Sequence, residues 1–236
     1  PITSSDDGVF RGRLAIWTEI DPESPTIDKS SFEQKLLSDS DIALPSNIGF
    51  NSKIFYFSFR EKDHQLFVEL GNDEGQTVSA NVAKTAFAAV LSQISDGLVE
   101  DVTVHVATNK NAVEHVLAIK MLNKVEIQLD IPNPDDLGDE HARVLQEIED
   151  MKAKRLKSEI VKANGEQTLI LSDRYKVLAD LAKDNGYVKS VGVDEDGEKR
   201  ERSTKDYPRE LEIVMQDDDS SYIVMRRVAL EADEQE

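Results

Sequence analysis

The sequence predicts an α+β fold, with helices packed on one side of a mainly antiparallel sheet and one long helix in the second half. Two observations lead to this prediction. Short segments of alternating apolar and polar residues indicate strands with one covered face, because buried parallel strands would be apolar throughout. Segments with apolar residues three and four apart indicate helices, and the two patterns alternate along the 236 residues.

The chain begins with predicted strands. Residues 9–20 are rich in β-branched and aromatic side chains and predict a first strand. Residues 21–47 contain many prolines and serines and predict an irregular connection with one short helix at 31–37. Residues 54–59 and 65–70 flank a polar loop and predict a hairpin that is apolar on both faces and lies inside a sheet.

Four further elements are predicted in the middle of the chain. Residues 80–94 have helical apolar periodicity, and Ser79 is a suitable N-cap. Residues 99–108 alternate and predict a strand. A short helix at 111–119 then leads to a second alternating strand at 125–131.

The second half is predicted to hold a helical pair followed by strands. Residues 139–163 carry an imperfect apolar stripe and predict the longest helix, with acids near its start and cations near its end. This distribution complements the helix dipole, or alternatively forms a local anion-binding face. Residues 173–184 predict another helix, ended by Asn185-Gly186. The predicted strands are 187–193, 198–204, 209–215 and 220–230.

The predicted organisation is a β-rich α+β part at residues 1–134 and a second part at 135–236, which also fit one continuous domain. The chain opens with "PITSSDD" rather than Met, and we expect its natural N-terminus to lie upstream. No segment approaches the roughly 18 apolar residues of a membrane span. Cysteine is absent, which suits a reducing, cytoplasmic compartment and leaves no disulfide or thiol nucleophile.

No motif predicts a catalytic centre, a metal site or a cofactor. The four histidines are His64, His105, His115 and His141, none has a second histidine four residues away, and we expect them to face solvent. Phosphate-binding glycine loops and the nucleophile elbow are missing. Asp196, Glu198 and Lys199 resemble the ligands of a metal-dependent nuclease only loosely, because Glu198 and Lys199 are adjacent.

Six basic residues are the candidate contacts for nucleic acid or another anion: Arg11, Arg13, Lys199, Arg200, Arg202 and Lys205. Residues two apart on a strand share a face, so each arginine pair projects from one side of its strand. In one interpretation both pairs join in a concave anion site. In the other they balance nearby acids, such as Glu19 or Glu69 beside the first pair.

Three blocks of the sequence resemble the bacterial domain-of-unknown-function family 4747. They are "GRLAIWTEID" (12–21), "IPNPDDLGDEHARVLQEIEDMKAKRL" (131–156) and "LADLAKDNGYVKSVGVDEDGEKRERSTKDYP" (178–208). The resemblance spans most of the chain, and family members carry an additional segment before the first block. It implies a cytoplasmic bacterial protein, with some members associated with mobile elements and phage defence, and it supplies no catalytic residues.

The expected function is that of a non-enzymatic binding or sensor subunit of a bacterial defence-type system, contacting nucleic acid or a partner protein. A hydrolytic, nuclease-like effector is the alternative, which the lack of a convergent catalytic set disfavours. An acidic decoy that imitates DNA is suggested by the net charge of −19, although the acids cluster with bases instead of spreading. That charge also disfavours non-specific nucleic-acid binding. No membrane partner is expected, and a homo-oligomer is compatible with the sequence.

Overall fold

The computed structural model describes residues 7–39, 45, 47–95, 102–131, 139–216 and 218–232. The elements are β1 (Val9–Thr18), β2 (Pro25–Ile27), β3 (Gln34–Leu36), β4 (Phe50–Arg60), β5 (Gln65–Val68), α1 (Ala80–Ser95), α2 (Ala112–Leu117), β6 (Met121–Asp130), α3 (Asp139–Asp150), β7 (Arg155–Val161), α4 (Asp173–Asp184), β8 (Gly186–Val193), β9 (Lys199–Ser203) and α5 (Ser221–Glu231). These strands pair antiparallel, and the predicted α+β class is confirmed.

Contacts divide the chain into two compact units. The first unit comprises Pro1–Val78 and Met215–Glu236, and the second comprises Ser79–Val214. The second unit therefore extends on both sides of residue 134, near which the sequence suggested a boundary. Among the residues that the structure describes, no helix has the length and apolar character needed to cross a membrane.

The first unit is built on a three-stranded sheet in the order β1-β4-β5. The predicted hairpin is present as β4 and β5, and β4 is the central strand. Phe57 pairs with Val68 and Phe59 with Leu66. Directly paired residues of antiparallel strands project to the same side, so these four side chains form one apolar face.

The other face of β4 is mixed in polarity and packs against α5. Ser58 and Arg60 are buried on this face. Ser58 Oγ donates to the backbone oxygen of Met225 (2.8 Å), and Arg60 Nη1 donates to that of Ala229 (2.6 Å). These bonds satisfy polar groups that would otherwise be buried at a cost. The prediction that both faces of the hairpin are apolar is therefore wrong.

The strand predicted at residues 220–230 is also wrong, because this segment forms α5. Val224, Met225, Val228 and Ala229 are buried. Their spacing places them on one side of a helix. The β-branched residues of the segment favour a strand locally, but burial of this helical stripe against the sheet outweighs that preference.

The β2–β3 hairpin replaces the helix predicted at residues 31–37. The Asp28 carboxylate accepts hydrogen bonds from the backbone N–H groups of Ser30 (2.9 Å) and Ser31 (3.2 Å). Phe32 then has a φ of 59°, outside the right-handed helical region. The serines that could cap a helix are thus used in an aspartate-centred turn.

The second unit is built on a four-stranded sheet in the order β7-β6-β8-β9. Val125, Ile127 and Leu129 of β6 enter a core with apolar residues of α2, α3 and α4, as the alternation predicted. Glu126 and Gln128 lie between them in the sequence and project to the opposite, polar face of the sheet. This polar face carries the candidate site.

The long helix predicted at residues 139–163 is wrong in its second half. α3 ends at Asp150, Lys152 has a φ of 52°, and β7 follows. Leu156 and Ile160 are four residues apart, which suits a helical stripe, but an even spacing also places them on one side of a strand. β7 pairs with β6 over its whole length, so sheet pairing decides between the two.

Two further predicted strands do not form. Residues 102–108 make one isolated bridge, between Thr108 and Pro208, while 99–101 lie outside the described residues. Residues 211–216 have no regular structure, and Val214 is 88% exposed. Alternation alone does not make a strand without a continuous hydrogen-bonding partner. The predicted α1, α2, α4, β6, β8 and β9 are confirmed.

A glycine allows β8 to begin close to β6. A Cβ atom on Gly186 would lie 1.9 Å from the backbone oxygen of Gln128. A larger residue would therefore force the strands apart, since real Cβ contacts are never so short. This close approach fixes the position of Tyr187, the next residue along β8.

Candidate anion-binding site

The six basic residues predicted as ligand contacts are divided between the two units. The first unit contains Arg11 and Arg13, and the second contains Lys199, Arg200, Arg202 and Lys205. One joint site for both groups stays a prediction. The six basic side chains differ in the residues that they contact.

On β1, Arg11 is half-buried and Arg13 is exposed. Arg11 Nη1 makes a long hydrogen bond to the backbone oxygen of Tyr222 (3.4 Å), and its guanidinium carbon lies 5.9 Å from the centre of the Tyr222 ring. Arg11 Nε is buried and has no hydrogen-bond partner among the described residues. Arg13 makes no ion pair with any residue that the structure describes. Arg11 therefore contacts the start of α5, and Arg13 faces solvent.

The two acids considered as partners for these arginines make other contacts. Glu69 accepts a hydrogen bond from the backbone N–H of Tyr56 (2.9 Å), and Glu19 accepts one from the indole of Trp17 (3.4 Å). Burial raises the pKa of Glu69 above its ordinary value. Neither carboxylate forms an ion pair with Arg11 or Arg13 in the described part of the chain.

Arg200 and Arg202 are held by acids of their own hairpin. Arg200 pairs with Glu198 (2.7 Å), and Arg202 pairs with Asp194 (3.1 Å). Arg202 Nη1 also donates to the backbone oxygen of His115 in the last turn of α2 (3.0 Å). These contacts fit the interpretation in which the arginines balance acids, and exposed pairs of this kind contribute about 0–1 kcal/mol each.

Lys205 has different surroundings. Its Nζ lies 4.0 Å from the centre of the Tyr187 ring, which is the geometry of a cation–π contact. The Tyr187 hydroxyl donates to Glu126, and Glu126 also pairs with Lys157 (3.0 Å). The hydrogen bonds from Tyr187 and then Lys157 lower the pKa of Glu126, and the bond to Glu126 raises the pKa of Tyr187. The Tyr187 hydroxyl therefore stays protonated, and its hydrogen bond to Glu126 fixes the ring that Lys205 contacts.

A small pocket of about 20 Å³ lies beside Lys205 and is lined by four segments of the second unit. Its polar lining consists chiefly of Asn81, Lys84, His105, Thr108, Lys183 and Lys205. Asn81 belongs to the first turn of α1 and Lys84 to the second. The positive end of the helix dipole therefore adds to the charge of the lysines at this place.

Of the three lysines in the pocket, Lys183 forms ion pairs with two aspartates. It pairs with Asp180 (2.8 Å) and Asp184 (3.5 Å). Lys84 and Lys205 make no ion pair with any residue that the structure describes. Partial burial, followed by the positive charge of Lys84, lowers the pKa of Lys205. The negative charge of Glu126 acts on the pKa of Lys205 in the opposite direction, so the repulsion between the two ammonium groups is partly compensated.

His105 is half-buried beside these lysines. Its Nε2 lies 3.5 Å from Asp130 Oδ2. Burial lowers the pKa of His105, and the positive charges of Lys84, Arg155 and Lys205 lower it further, whereas Asp130 acts in the opposite direction. Because the ordinary pKa of histidine is about 6.5, the imidazole is mainly neutral at pH 7. It can accept a proton when negative charge is brought near.

Lys205 was among the contacts expected from the sequence and stays a prediction, whereas Lys84, His105 and Tyr187 were not among them. The expectation that His105 faces solvent from a strand is wrong, because the residue lies half-buried outside any strand. Lys84 occupies an amphipathic helix, where lysines are ordinary and nothing local distinguishes this one. Alternation along β8 places Tyr187 on the same face as Lys189, and this was the one available signal.

The chemistry of the pocket suits anion binding. Lysine and asparagine side chains supply hydrogen-bond donors, and two positive charges lack an acid partner within the described part of the chain. In that same part of the chain, no three His, Cys, Asp or Glu side chains come together as a metal site. Asp196 and Glu198, which loosely resemble nuclease ligands, pair with Arg200 instead.

Comparison with known proteins places the chain in a family. The family model described as "Domain of unknown function (DUF4747)" matches residues 1–230. No curated protein and no solved structure matches the chain. Since the match covers nearly the whole sequence, the chain belongs to the DUF4747 family.

Proposed function

We propose that this protein is a non-enzymatic binding module that contacts nucleic acid at the basic pocket, defined by Lys84, His105 and Lys205. The supporting observation is that Lys84 and Lys205 lack acid partners among the described residues of a chain with net charge −19. Holding two ammonium groups together costs free energy, and a bound anion offsets that cost. A binding or sensor subunit of a bacterial defence-type system is the biological setting that we propose.

The overall charge argues for a local contact with a single strand. A net charge of −19 repels phosphate at long range, so a duplex that needs many phosphate contacts along an extended surface is disfavoured. One pocket of donors beside an aromatic ring suits a flexible strand better. Tyr187 supplies that ring, next to Lys205.

The test is the binding of a fluorescent single-stranded oligonucleotide, followed by anisotropy over a range of salt concentrations. Lys84→Glu and Lys205→Glu should each weaken binding at least about tenfold, because each removes a charge-assisted hydrogen bond. Both variants should also reduce the dependence of affinity on salt. Lys29→Glu is the matched control, since it makes the same charge change at an exposed position in the first unit.

Three outcomes contradict this proposal. Equal weakening by Lys29→Glu would show that net charge alone governs binding and that the basic pocket is not the site. No binding of any strand by the folded wild-type chain would exclude nucleic acid and leave a partner protein as the ligand. Cleavage of the oligonucleotide would instead support the hydrolytic alternative.

A further inference from the structure

We propose that the basic pocket binds a phosphate monoester, such as the terminal phosphate of a strand or nucleotide, and that binding is coupled to protonation of His105. This inference deepens the proposed function and depends on it for the identification of a strand as the phosphate donor. The charges of Lys84 and Lys205 favour a phosphate whichever molecule carries it. The phosphate-monoester site and the nucleic-acid function can therefore be disproved independently of each other.

Charge matching favours a phosphate monoester over an internal phosphodiester. A monoester carries close to two negative charges at pH 7, whereas a phosphodiester carries one. Lys84 and Lys205 are two unpaired positive charges within the described part of the chain. A dianion compensates both ammonium groups, and a phosphodiester would leave one uncompensated.

The size of the pocket limits how a phosphate can bind. Four segments line it: the start of α1, residues 105–108, residues 183–186 and residues 204–205, and the cavity between them is about 20 Å³. This is room for one phosphate oxygen and not for a whole phosphate group. One oxygen therefore enters between the four segments while the others stay at the pocket mouth, and the choice of a monoester depends on charge.

The charges around His105 couple the ligand to a proton. The groups that face it are Asp130 from β6, Arg155 from β7, Lys84 from α1 and Lys205 after β9. Three of these four are cations, and together with burial they favour the neutral imidazole. A phosphate dianion beside the ring reverses that balance and favours imidazolium. Phosphate binding therefore promotes protonation of His105.

The first test follows the titration of His105 by NMR in the full chain, with inorganic phosphate as the probe and chloride at equal ionic strength as the reference. Phosphate should raise the midpoint of His105 by about one pH unit, which is a tenfold coupling between proton and phosphate. The ring signals of His64 and His115, which lie outside the pocket lining, should not respond to phosphate at constant pH. An unchanged His105 midpoint would overturn the assignment.

Two lysine variants make this test specific. Lys84→Gln should abolish the phosphate-induced shift and weaken phosphate binding at least about tenfold. Lys124→Gln is the matched control, because Lys124 pairs with Glu159 on the polar face of the same sheet. This variant should retain the full shift. Equal loss in both variants would mean that phosphate acts through general screening, which overturns the proposal.

Oligonucleotides with and without a terminal phosphate separate this inference from the proposed function. A strand with the terminal phosphate should bind at least about tenfold more tightly. Equal affinity for both strands overturns the monoester site and leaves strand binding intact. A His105 shift with phosphate but no binding of either strand supports a small phosphate-bearing ligand and overturns the nucleic-acid function.

Discussion

The ammonium group of Lys205 lies 4.0 Å from the centre of the Tyr187 ring, and the Tyr187 hydroxyl in turn donates to Glu126. These contacts connect the basic pocket to two neighbouring strands, since Glu126 belongs to β6 and Tyr187 to β8. A free lysine side chain loses rotamer entropy when a ligand orders it. The ring limits that loss by holding Lys205 in place beforehand.

Replacing the ring should therefore weaken the ligand contact. Tyr187→Leu should lower oligonucleotide affinity about two- to fivefold, the effect of one exposed cation–π contact. Tyr187→Phe keeps the ring, loses the bond to Glu126 and should retain most of the affinity. Anisotropy titrations measure both, and equal losses in the two variants would show that the ring does not position Lys205.

The sheet of the first unit should depend more on Phe55 than on Phe57. Phe55 is fully buried, whereas Phe57 is half-buried with its ring over Gly12. Phe55→Ala should lower the free energy of unfolding by about 3–5 kcal/mol, and Phe57→Ala by roughly half as much. Chemical denaturation measures both values. A larger loss for Phe57→Ala would contradict the observed burial.

Arg202 and Arg13 should differ in their effect on stability. Arg202 pairs with Asp194 and donates to the backbone oxygen of His115, so Arg202→Gln should cost about 1 kcal/mol. Arg13→Gln should stay within about 0.5 kcal/mol, as expected for an exposed position. Thermal unfolding measures the difference. If Arg202→Gln leaves unfolding unchanged but weakens oligonucleotide binding, Arg202 contacts the ligand as the sequence first suggested.

Glu69 should make stability depend on pH. Burial raises its pKa in the folded state, and the negative charge of Asp73 acts in the same direction. The folded state then holds the proton more tightly than the unfolded state, so the contribution of Glu69 to stability is lost as pH rises through the folded-state pKa. Glu69→Gln should therefore raise the melting temperature at pH 7, and the gain should disappear below about pH 4.

The control for Glu69 is Glu74→Gln, an exposed acid nearby in the chain. This variant should leave the melting temperature unchanged at both pH values. A gain for Glu69→Gln that persists at low pH would come from altered packing, and it would contradict the role of the buried charge.

The sequence by itself determined the elements whose local pattern allows one solution. The alternation of Val125, Ile127 and Leu129 fits a strand and no helix, and β6 lies where it was predicted. The helical periodicity after Ser79 likewise predicted α1. The net charge and the absence of cysteine follow directly from composition.

Tertiary structure decided the elements whose pattern allows two solutions. Leu156 and Ile160 fit a helix or a strand, and pairing with β6 selects the strand. Residues 221–231 favour a strand by composition, but their apolar stripe is buried as a helix against β4. Local preferences amount to tenths of a kcal/mol per residue, and burial of several side chains outweighs them.

The site depended on tertiary structure even more strongly. Lys84, His105 and Lys205 are far apart in the sequence, and each resembles the ordinary surface residues around it. Only the approach of α1, residues 105–108 and the end of β9 brings them to one pocket. The acids near Lys183 bind that lysine, Thr108 and His141, and Lys84 and Lys205 stay without a described ion-pair partner. The field at a charged group depends on distances in space, and a sequence gives only distances along the chain.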